Sequence, residues 1–370
     1  MAEWKKCTIS DIGKVVGGAT PSTKKNENYK NGNIAWITPK DLSSFSGRYI
    51  KNGERFITEI GLKSCSTQLM PQNTVLFSSR APIGYVAIAE GEVCTNQGFK
   101  SVIPNENTDP LFLYYLLKYN KHKIENMGSG TTFKEVSGNT MKNIEIVIPV
   151  SKDEQIVISS ILGALDDKIE LNEKINNNLE QQAQAIYQQL FIDQRKPEWK
   201  IGKLSDLLSV KYGKDHKKLA DGEYPVYGSG GIMRYVETPL YTGESVLIPR
   251  KGTLNNVMYV NCAFWSVDTM FYTVMLRPNV AKFAYHFVKS IDLASLNAGS
   301  AVPSMTTNIL NAMQLYIPDD QTLQKFETIV SPMYLAIQEN TQQSKSLAEM
   351  RDTLLPKLMS GELDVSDINL

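Results

Sequence analysis

The sequence predicts an α+β protein in which two mixed α/β globular units are separated by two long helices that pair as an antiparallel coiled coil. Three observations predict it. Residues 154–191 contain no Pro and a single Gly, and apolar residues recur there at coiled-coil spacing. The same pattern returns 168 residues later. The segments around each helix also repeat, so the chain is one long unit duplicated rather than a solenoid of short repeats.

The first seam is Ile158, Leu162, Leu165, Ile169, Asn172, Asn176, Leu179, Ala183, Ile186 and Leu190. Its spacings alternate strictly between four and three, an average of 3.5 residues. About 38 residues at roughly 1.5 Å each make a rod of roughly 57 Å, which needs a partner helix along its length. The second seam supplies one: Phe326, Val330, Met333, Ile337, Asn340, Ser344, Leu347, Arg351, Leu354 and Leu358. Nine of these ten positions keep the apolar or polar character of their counterparts, Ala183 against Arg351 being the exception. Pro332 is tolerated near a helix start or at a kink. A twofold relation between the halves pairs the helices antiparallel. Ile158 then meets Leu358, Asn172 meets Ser344, Asn176 meets Asn340 and Leu190 meets Phe326. A central pair of Asn residues costs stability but penalises slipped registers. One layer is awkward, Leu165 against Arg351, where the guanidinium can reach Asp166.

The globular units carry the rest of the repeat. Glu3-Trp4-Lys5, with Gly18 downstream, returns as Glu198-Trp199-Lys200 with Gly213. Residues 130–149 return as 299–318, so that Gly130, Asn139 and Ile148-Pro149 match Gly299, Asn308 and Ile317-Pro318. Short apolar runs bounded by Gly, Pro, Asn and Ser read as strands: 34–37, 75–77, 85–89 and 144–148, then 246–248, 257–260, 270–276 and 314–317. One helix is predicted in each unit, over 110–125 and over 280–296, the first with Pro110 in its opening turn. The division is therefore 1–150 for the first unit, 151–195 for the central helix, 196–318 for the second unit and 319–370 for the C-terminal helix and tail.

Net charge is zero over 370 residues, yet its distribution is uneven. Residues 1–150 carry 18 Lys and Arg against 13 Asp and Glu, net +5, and residues 196–318 carry 13 against 9, net +4. The helical segments 151–195 and 319–370 are net −4 and −5. Basic units suit a polyanion, and local fields matter more than the sum. The N-terminus lacks an apolar leader and no stretch approaches 18 uncharged apolar residues, so a cytoplasmic protein with no membrane partner is expected. Cys7, Cys65, Cys94 and Cys262 form no C-x-x-C pair, and the three His lie far apart, so neither a metal site nor a disulfide framework is expected.

Cations and hydroxyls fall at equivalent places in the two units. Thr20, Ser22, Lys24 and Lys25 follow Gly17-Gly18, while Lys211, Lys214, Lys217 and Lys218 bracket Gly213. Ser79-Arg80 follows one strand, Arg250-Lys251 the equivalent one, and Lys40 and Lys134 complete the set. Such side chains on loops suit phosphate contacts and base edges, so these are the candidate DNA-binding residues. No catalytic residues are expected. There is no P-loop, and Gly228-Ser229-Gly230-Gly231 and Gly128-Ser129-Gly130 lack a strand–turn–helix setting. Asp109-Pro110-Leu111-Phe112 looks like an amino-methyltransferase motif but lacks its second Pro and opens a helix. Asp166-Asp167 reads as a solvated face of the acidic rod.

Trp36 to Leu42 (WITPKDL), Ser79 to Ile88 (SRAPIGYVAI), Thr95 to Lys100 (TNQGFK), Pro249 to Thr253 (PRKGT), Ile148-Pro149 ahead of Glu154-Gln155, and Leu354 to Leu363 (LLPKLMSGEL) together resemble the specificity subunit of a type I restriction–modification system. Asp319-Asp320-Gln321 departs from the Glu154-Gln155 entry at the second helix. The resemblance implies two target-recognition domains, each reading half of a split double-stranded DNA site. It also implies helices that hold two modification subunits, which restriction subunits join. No cofactor is then expected on this chain, S-adenosylmethionine and ATP belonging to the partners. Two other functions compete: a coiled-coil scaffold without a DNA role, and a self-contained DNA methyltransferase.

Overall fold

A computed structural model describes residues 3–80, 82–130, 134–296 and 304–365. The chain forms two compact units. Unit 1 comprises Met1–Glu173 and Thr341–Leu370, and unit 2 comprises Lys174–Asn340. Each unit therefore takes one stretch from each long helix.

In unit 1 a five-stranded sheet runs in the order Gly13–Gly17, Lys100–Pro104, Val75–Ser79, Ile83–Ala89, Tyr49–Ile50. A three-stranded sheet is formed by Arg55–Ile57, Ile34–Ile37 and Val93–Thr95. In unit 2 a six-stranded sheet runs Leu208–Tyr212, Met270–Met275, Tyr241–Pro249, Met258–Ser266, Tyr224–Gly228, Gly231–Val236. The segments that repeat in sequence pair with each other inside each unit. Trp4–Thr8 runs antiparallel to Glu145–Pro149, and Ile201–Lys203 to Gln314–Tyr316. The short helices that precede those return strands begin alike. Ser137 Oγ accepts the Thr140 amide and Thr306 Oγ1 accepts the Ile309 amide, which satisfies first-turn donors.

The central helix spans Lys152–Tyr187 and continues as a π-helical turn over Gln188–Asp193, and the C-terminal helix spans Asp320–Met359. All seam residues of both helices are buried or half-buried. In unit 1 Ile158 and Leu162 join Leu358 and Met359 in a core with Phe77, Phe112 and Tyr115. In unit 2 Ala183, Tyr187, Leu190 and Phe191 join Phe326 and Val330 in a core with Phe283 and Tyr285. The pairing is antiparallel within each unit, and polar layers close it. Asn172 Nδ2 donates to Ser344 Oγ at 3.2 Å and to Gln343 Oε1 at 2.9 Å. Asn340 Nδ2 donates to Asn176 Oδ1 at 2.9 Å. Arg351 Nη1 reaches Asp166 Oδ1 at 2.6 Å, which resolves the Leu165 layer.

Several expectations need correction. Asp166 is buried, bonded to Arg351 and to the Tyr115 hydroxyl at 2.6 Å, so only Asp167 of that pair is exposed. Helix 110–125 is two helices, Pro110–Tyr119 and Lys121–Asn126, because Asn120 turns out of helical geometry and its amide caps Leu116 O. The helix expected over 280–296 is only Ala281–Lys289, since Asp292 turns away to bond Asn255 at 2.8 Å. The C-terminal helix begins earlier than Pro332 requires, so Pro332 lies in its interior. The strand over 257–260 extends to Met258–Ser266, and the one over 246–248 to Tyr241–Pro249. Asp109 caps its helix by accepting the Phe112 amide at 2.8 Å, a structural role for the apparent methyltransferase motif.

His286 is fully buried in unit 2, its Nδ1 against Gln184 Oε1 at 2.7 Å and its Nε2 against the Tyr334 hydroxyl at 2.9 Å. Burial pushes its pKa down to about 4 from 6.5, Lys289 adds to the shift and Glu180 opposes it. Between pH 6.5 and about 4 the unfolded chain therefore binds a proton here that the folded unit does not. Its contribution to stability is complete above pH 6.5 and is lost as pH falls toward the folded value, by roughly 3 kcal/mol in all. Urea unfolding followed at stepped pH should show this loss, and His286→Gln should flatten it; an unchanged slope would assign the acid sensitivity to other groups.

Candidate nucleic-acid interface

Each unit is organised at one end around a tight turn that gathers three other segments. In unit 1 the turn is residues 95–99. The Ala19 amide donates to Thr95 O at 3.0 Å, the Asn96 amide to Ile37 O at 3.0 Å, and the Ser79 amide to Gly98 O at 2.7 Å. In unit 2 the turn is residues 266–270. The Lys214 amide donates to Ser266 O at 2.8 Å, the Val267 amide to Tyr227 O at 3.1 Å, and the Arg250 amide to Thr269 O at 2.9 Å. A further segment joins each junction, through Val136 N to Ser79 O and Met305 N to Arg250 O, both at 2.9 Å. An indole then clips the first segment: Trp36 Nε1 donates to Ala19 O at 3.0 Å and Trp265 Nε1 to Lys214 O at 2.9 Å.

This junction explains the glycines that recur in sequence. A Cβ on Gly18 would stand 2.1 Å from Asn96 O, and one on Gly213 would stand 2.0 Å from Val267 O. Only glycine lets these backbones approach so closely.

The junctions also fix which residues are equivalent. Arg80 bridges antiparallel to Glu135, and Lys251 bridges to Ser304 in the same way. Arg80 therefore corresponds to Lys251, and Arg250 to Ser79. Ser79 is wholly buried and its hydroxyl donates to Gly98 O at 3.2 Å. It holds the junction from inside and offers no outward donor, which corrects its place among the candidate contacts.

The other candidates lie outward. Thr20 is exposed and bonds Gln97 Oε1, on the turn itself. Arg80 Nη1 lies 3.8 Å from Glu135, and Lys100 Nζ lies 3.3 Å from the same carboxylate. Lys134 is exposed beside Glu135. Arg250 is half-buried, its guanidinium 5.4 Å from the Tyr212 ring centroid and donating to Asp268 O at 3.3 Å. Lys251 and Lys214 are exposed on segments bonded to the turn. Ser22, Lys24, Lys25, Lys40, Lys211, Lys217 and Lys218 are also exposed, but lie further along the gathered segments. Lys40 is engaged by Glu54 at 2.8 Å and Lys25 by Glu27 at 3.9 Å. Among the described residues, the candidates Lys211, Lys214, Lys217, Lys218, Arg250 and Lys251 of unit 2 have no carboxylate within ion-pair distance, whereas Lys25, Lys40 and Arg80 of unit 1 do. Sequence reasoning missed Gln97, Lys100 and Tyr212. The recurring glycines and the Thr95–Lys100 segment were the signal that could have found the first two.

Chemically, the junctions offer guanidinium, ammonium, hydroxyl and amide donors on backbone held from several sides. Among the described residues no three His, Cys, Asp or Glu are grouped to hold a metal ion. Among the described residues, no helix is long and apolar enough to cross a membrane.

A family model described as the type I restriction modification DNA specificity domain matches residues 1–181 and again 196–349. The chain is 32% identical to the type I restriction enzyme MjaIX specificity subunit of Methanocaldococcus jannaschii, over 99% of this chain and 95% of that one. It is 24% identical to the EcoprrI specificity subunit of Escherichia coli, over 89% and 88% of the two chains. The fold is similar to that of the S subunit of a type I restriction–modification system from M. genitalium, with a TM-score of 0.63, 19% identity, and coverage of 99% and 97%.

Gly213→Ala should overpack the unit 2 junction and destabilise that unit by about 1–3 kcal/mol. Gly230→Ala, where an added Cβ meets nothing within 4 Å, is the matched control. Equal thermal shifts for the two variants would show that the junction tolerates the methyl group.

Proposed function

The chain belongs to the family of type I restriction modification DNA specificity domains, and on that basis we propose that its two units each read one half of a bipartite double-stranded DNA site. It is the DNA-recognition subunit of its system and not the catalyst. In this reading residues 1–150 and 196–318 are the target-recognition domains. Residues 151–195 and 319–370 are the helices that set the spacing between half-sites and hold two modification subunits. Restriction subunits join that core, and S-adenosylmethionine and ATP bind the partners. A free-standing methyltransferase and a scaffold without a DNA role are set aside by the family match, which covers both halves of the chain.

The observation that carries the proposal is the duplicated junction. The same backbone bonds in each unit hold a cation at the same place, Arg80 in one and Lys251 in the other. Positive side chains fixed on two rigid, equivalent platforms are what two half-sites of a polyanion require. Phosphate contacts position the protein, and the neighbouring loops reach base edges.

Replacing residues 1–150 with the corresponding segment of a relative should change one half of the methylated motif and leave the other intact, read by methylome sequencing of cells that also express the modification subunit. A change in both halves, or in neither, would defeat modular reading. Separately, Lys251→Ala and Arg80→Ala should each weaken binding to all sequences and reduce the salt dependence by about one unit of slope. A slope identical to wild type in both would move these cations off the DNA face.

A further inference from the structure

The strands Tyr224–Gly228 and Gly231–Val236 form an antiparallel hairpin that pairs Gly228 with Gly231, leaving Ser229 and Gly230 as its turn. Gly231 adopts φ +111°, a backbone that L side chains rarely take, and a Cβ on Gly230 or Gly231 would meet nothing within 4 Å. The turn is therefore thin and uncovered at Gly230 and Gly231. Just behind it stand two adjacent apolar residues, Ile232 at 50% exposure and Met233 at 60%. Val226 pairs with Arg234 and Tyr227 with Ile232, so Met233 is the unpaired residue of a bulge that breaks the alternation of faces, and it stands exposed beside Ile232 with its sulfur near Gly228.

The tip is fastened to the cationic junction. Asn256 Nδ2 donates to Ser229 O at 2.7 Å, and a Cβ on Gly252 would lie 2.8 Å from Ser229 Oγ. Tyr227, at the base of the turn, accepts the Val267 amide of the same turn that anchors Lys214 and Arg250. Arg250 in turn lies over Tyr212, itself 52% exposed. Apolar side chains on a thin projection, beside cations without carboxylate partners, match the chemistry of a wedge. In such a wedge, cations hold neighbouring phosphates while the apolar group enters between stacked bases from the minor groove. Unstacking is least costly at flexible pyrimidine–purine steps, so a wedge also discriminates sequence without touching base edges.

We propose that Ile232 and Met233 at the 224–236 hairpin tip insert into a base step of the half-site read by residues 196–318, kinking it and selecting for a deformable step. The inference rests on the DNA-reading function proposed above.

The test uses the full chain assembled with its modification subunits, on a duplex carrying the motif found by methylome sequencing. 2-Aminopurine is placed at successive steps of the second half-site, leaving out the adenine that becomes methylated. Binding of the unsubstituted complex should raise fluorescence several-fold at one step. Ile232→Ala/Met233→Ala should abolish that rise while keeping the salt slope of binding, and Ile232→Leu/Met233→Leu should retain it. No responsive step in a bound duplex, or a full response from the alanine variant, would overturn the wedge and leave the DNA-reading function standing. Failure of the unsubstituted complex to bind the duplex at all would overturn both.

Discussion

The antiparallel seam between two helices far apart in sequence is the constraint on which everything else depends. Neither unit closes its core from contiguous chain. Unit 1 needs Leu358 and Met359 against Ile158 and Leu162, and unit 2 needs Ala183 and Leu190 against Phe326 and Val330. Apolar contact alone would tolerate a shift of one heptad along such a seam. The polar layers do not, since a slip of one heptad would set Asn172 against Ile337 or Arg351 and Asn176 against Met333 or Leu347, breaking the Asn–Asn and Asn–Ser bonds. Register follows from a few hydrogen bonds rather than from the bulk of the buried surface.

Buried charge ties each sheet to its helices, with different residues in the two units. In unit 1 Arg48 is buried, bonded by Nε to Glu170 at 3.0 Å and paired with Asp167, both on the central helix. In unit 2 Lys282 is buried between Glu244 and Glu327, each at 2.7 Å, Glu327 lying on the C-terminal helix. Breaking one member of such a cluster leaves the other charge uncompensated, so these contacts specify docking more than they add stability. They also account for the acidic character of the rod. Part of that charge is taken up internally by cations from the globular units.

Much of this was legible in the sequence because it is periodic or repeated. The seam and its polar centre follow from spacing, and its direction from the twofold relation between the halves; the duplication marked the segments that pair at 4–8 with 145–149 and 201–203 with 314–316 as equivalent, but not as partners. What was not legible depends on contacts between residues remote in the chain. Ser79 reads as an outward hydroxyl beside an arginine, yet a glycine carbonyl 19 positions away draws it inside. Asp166 reads as solvated until Tyr115 and Arg351 close over it. Glycines 18 and 213 were visible as a repeat, but their reason, carbonyls of a turn that would meet any Cβ, exists only in the folded junction.

The junction also explains how one duplicated architecture can read two different half-sites. Its bonds are backbone bonds and its glycines are obligatory, so side chains elsewhere are free to differ without disturbing it. The same acceptor, Ile37 in one unit and Tyr227 in the other, leads into unlike structures. After Ile37 comes the helix Pro39–Ser43 bearing Lys40, while after Tyr227 comes the glycine-tipped hairpin with Ile232 and Met233. At the position beneath the shared cation one unit buries Ser79 and the other presents Arg250 over Tyr212. In the proposed reading, a fixed platform with divergent projections would separate affinity from specificity: the platform would meet phosphates, which every sequence offers, and the projections would meet bases and base steps, which differ. Two such platforms with unlike projections would suit two unlike half-sites.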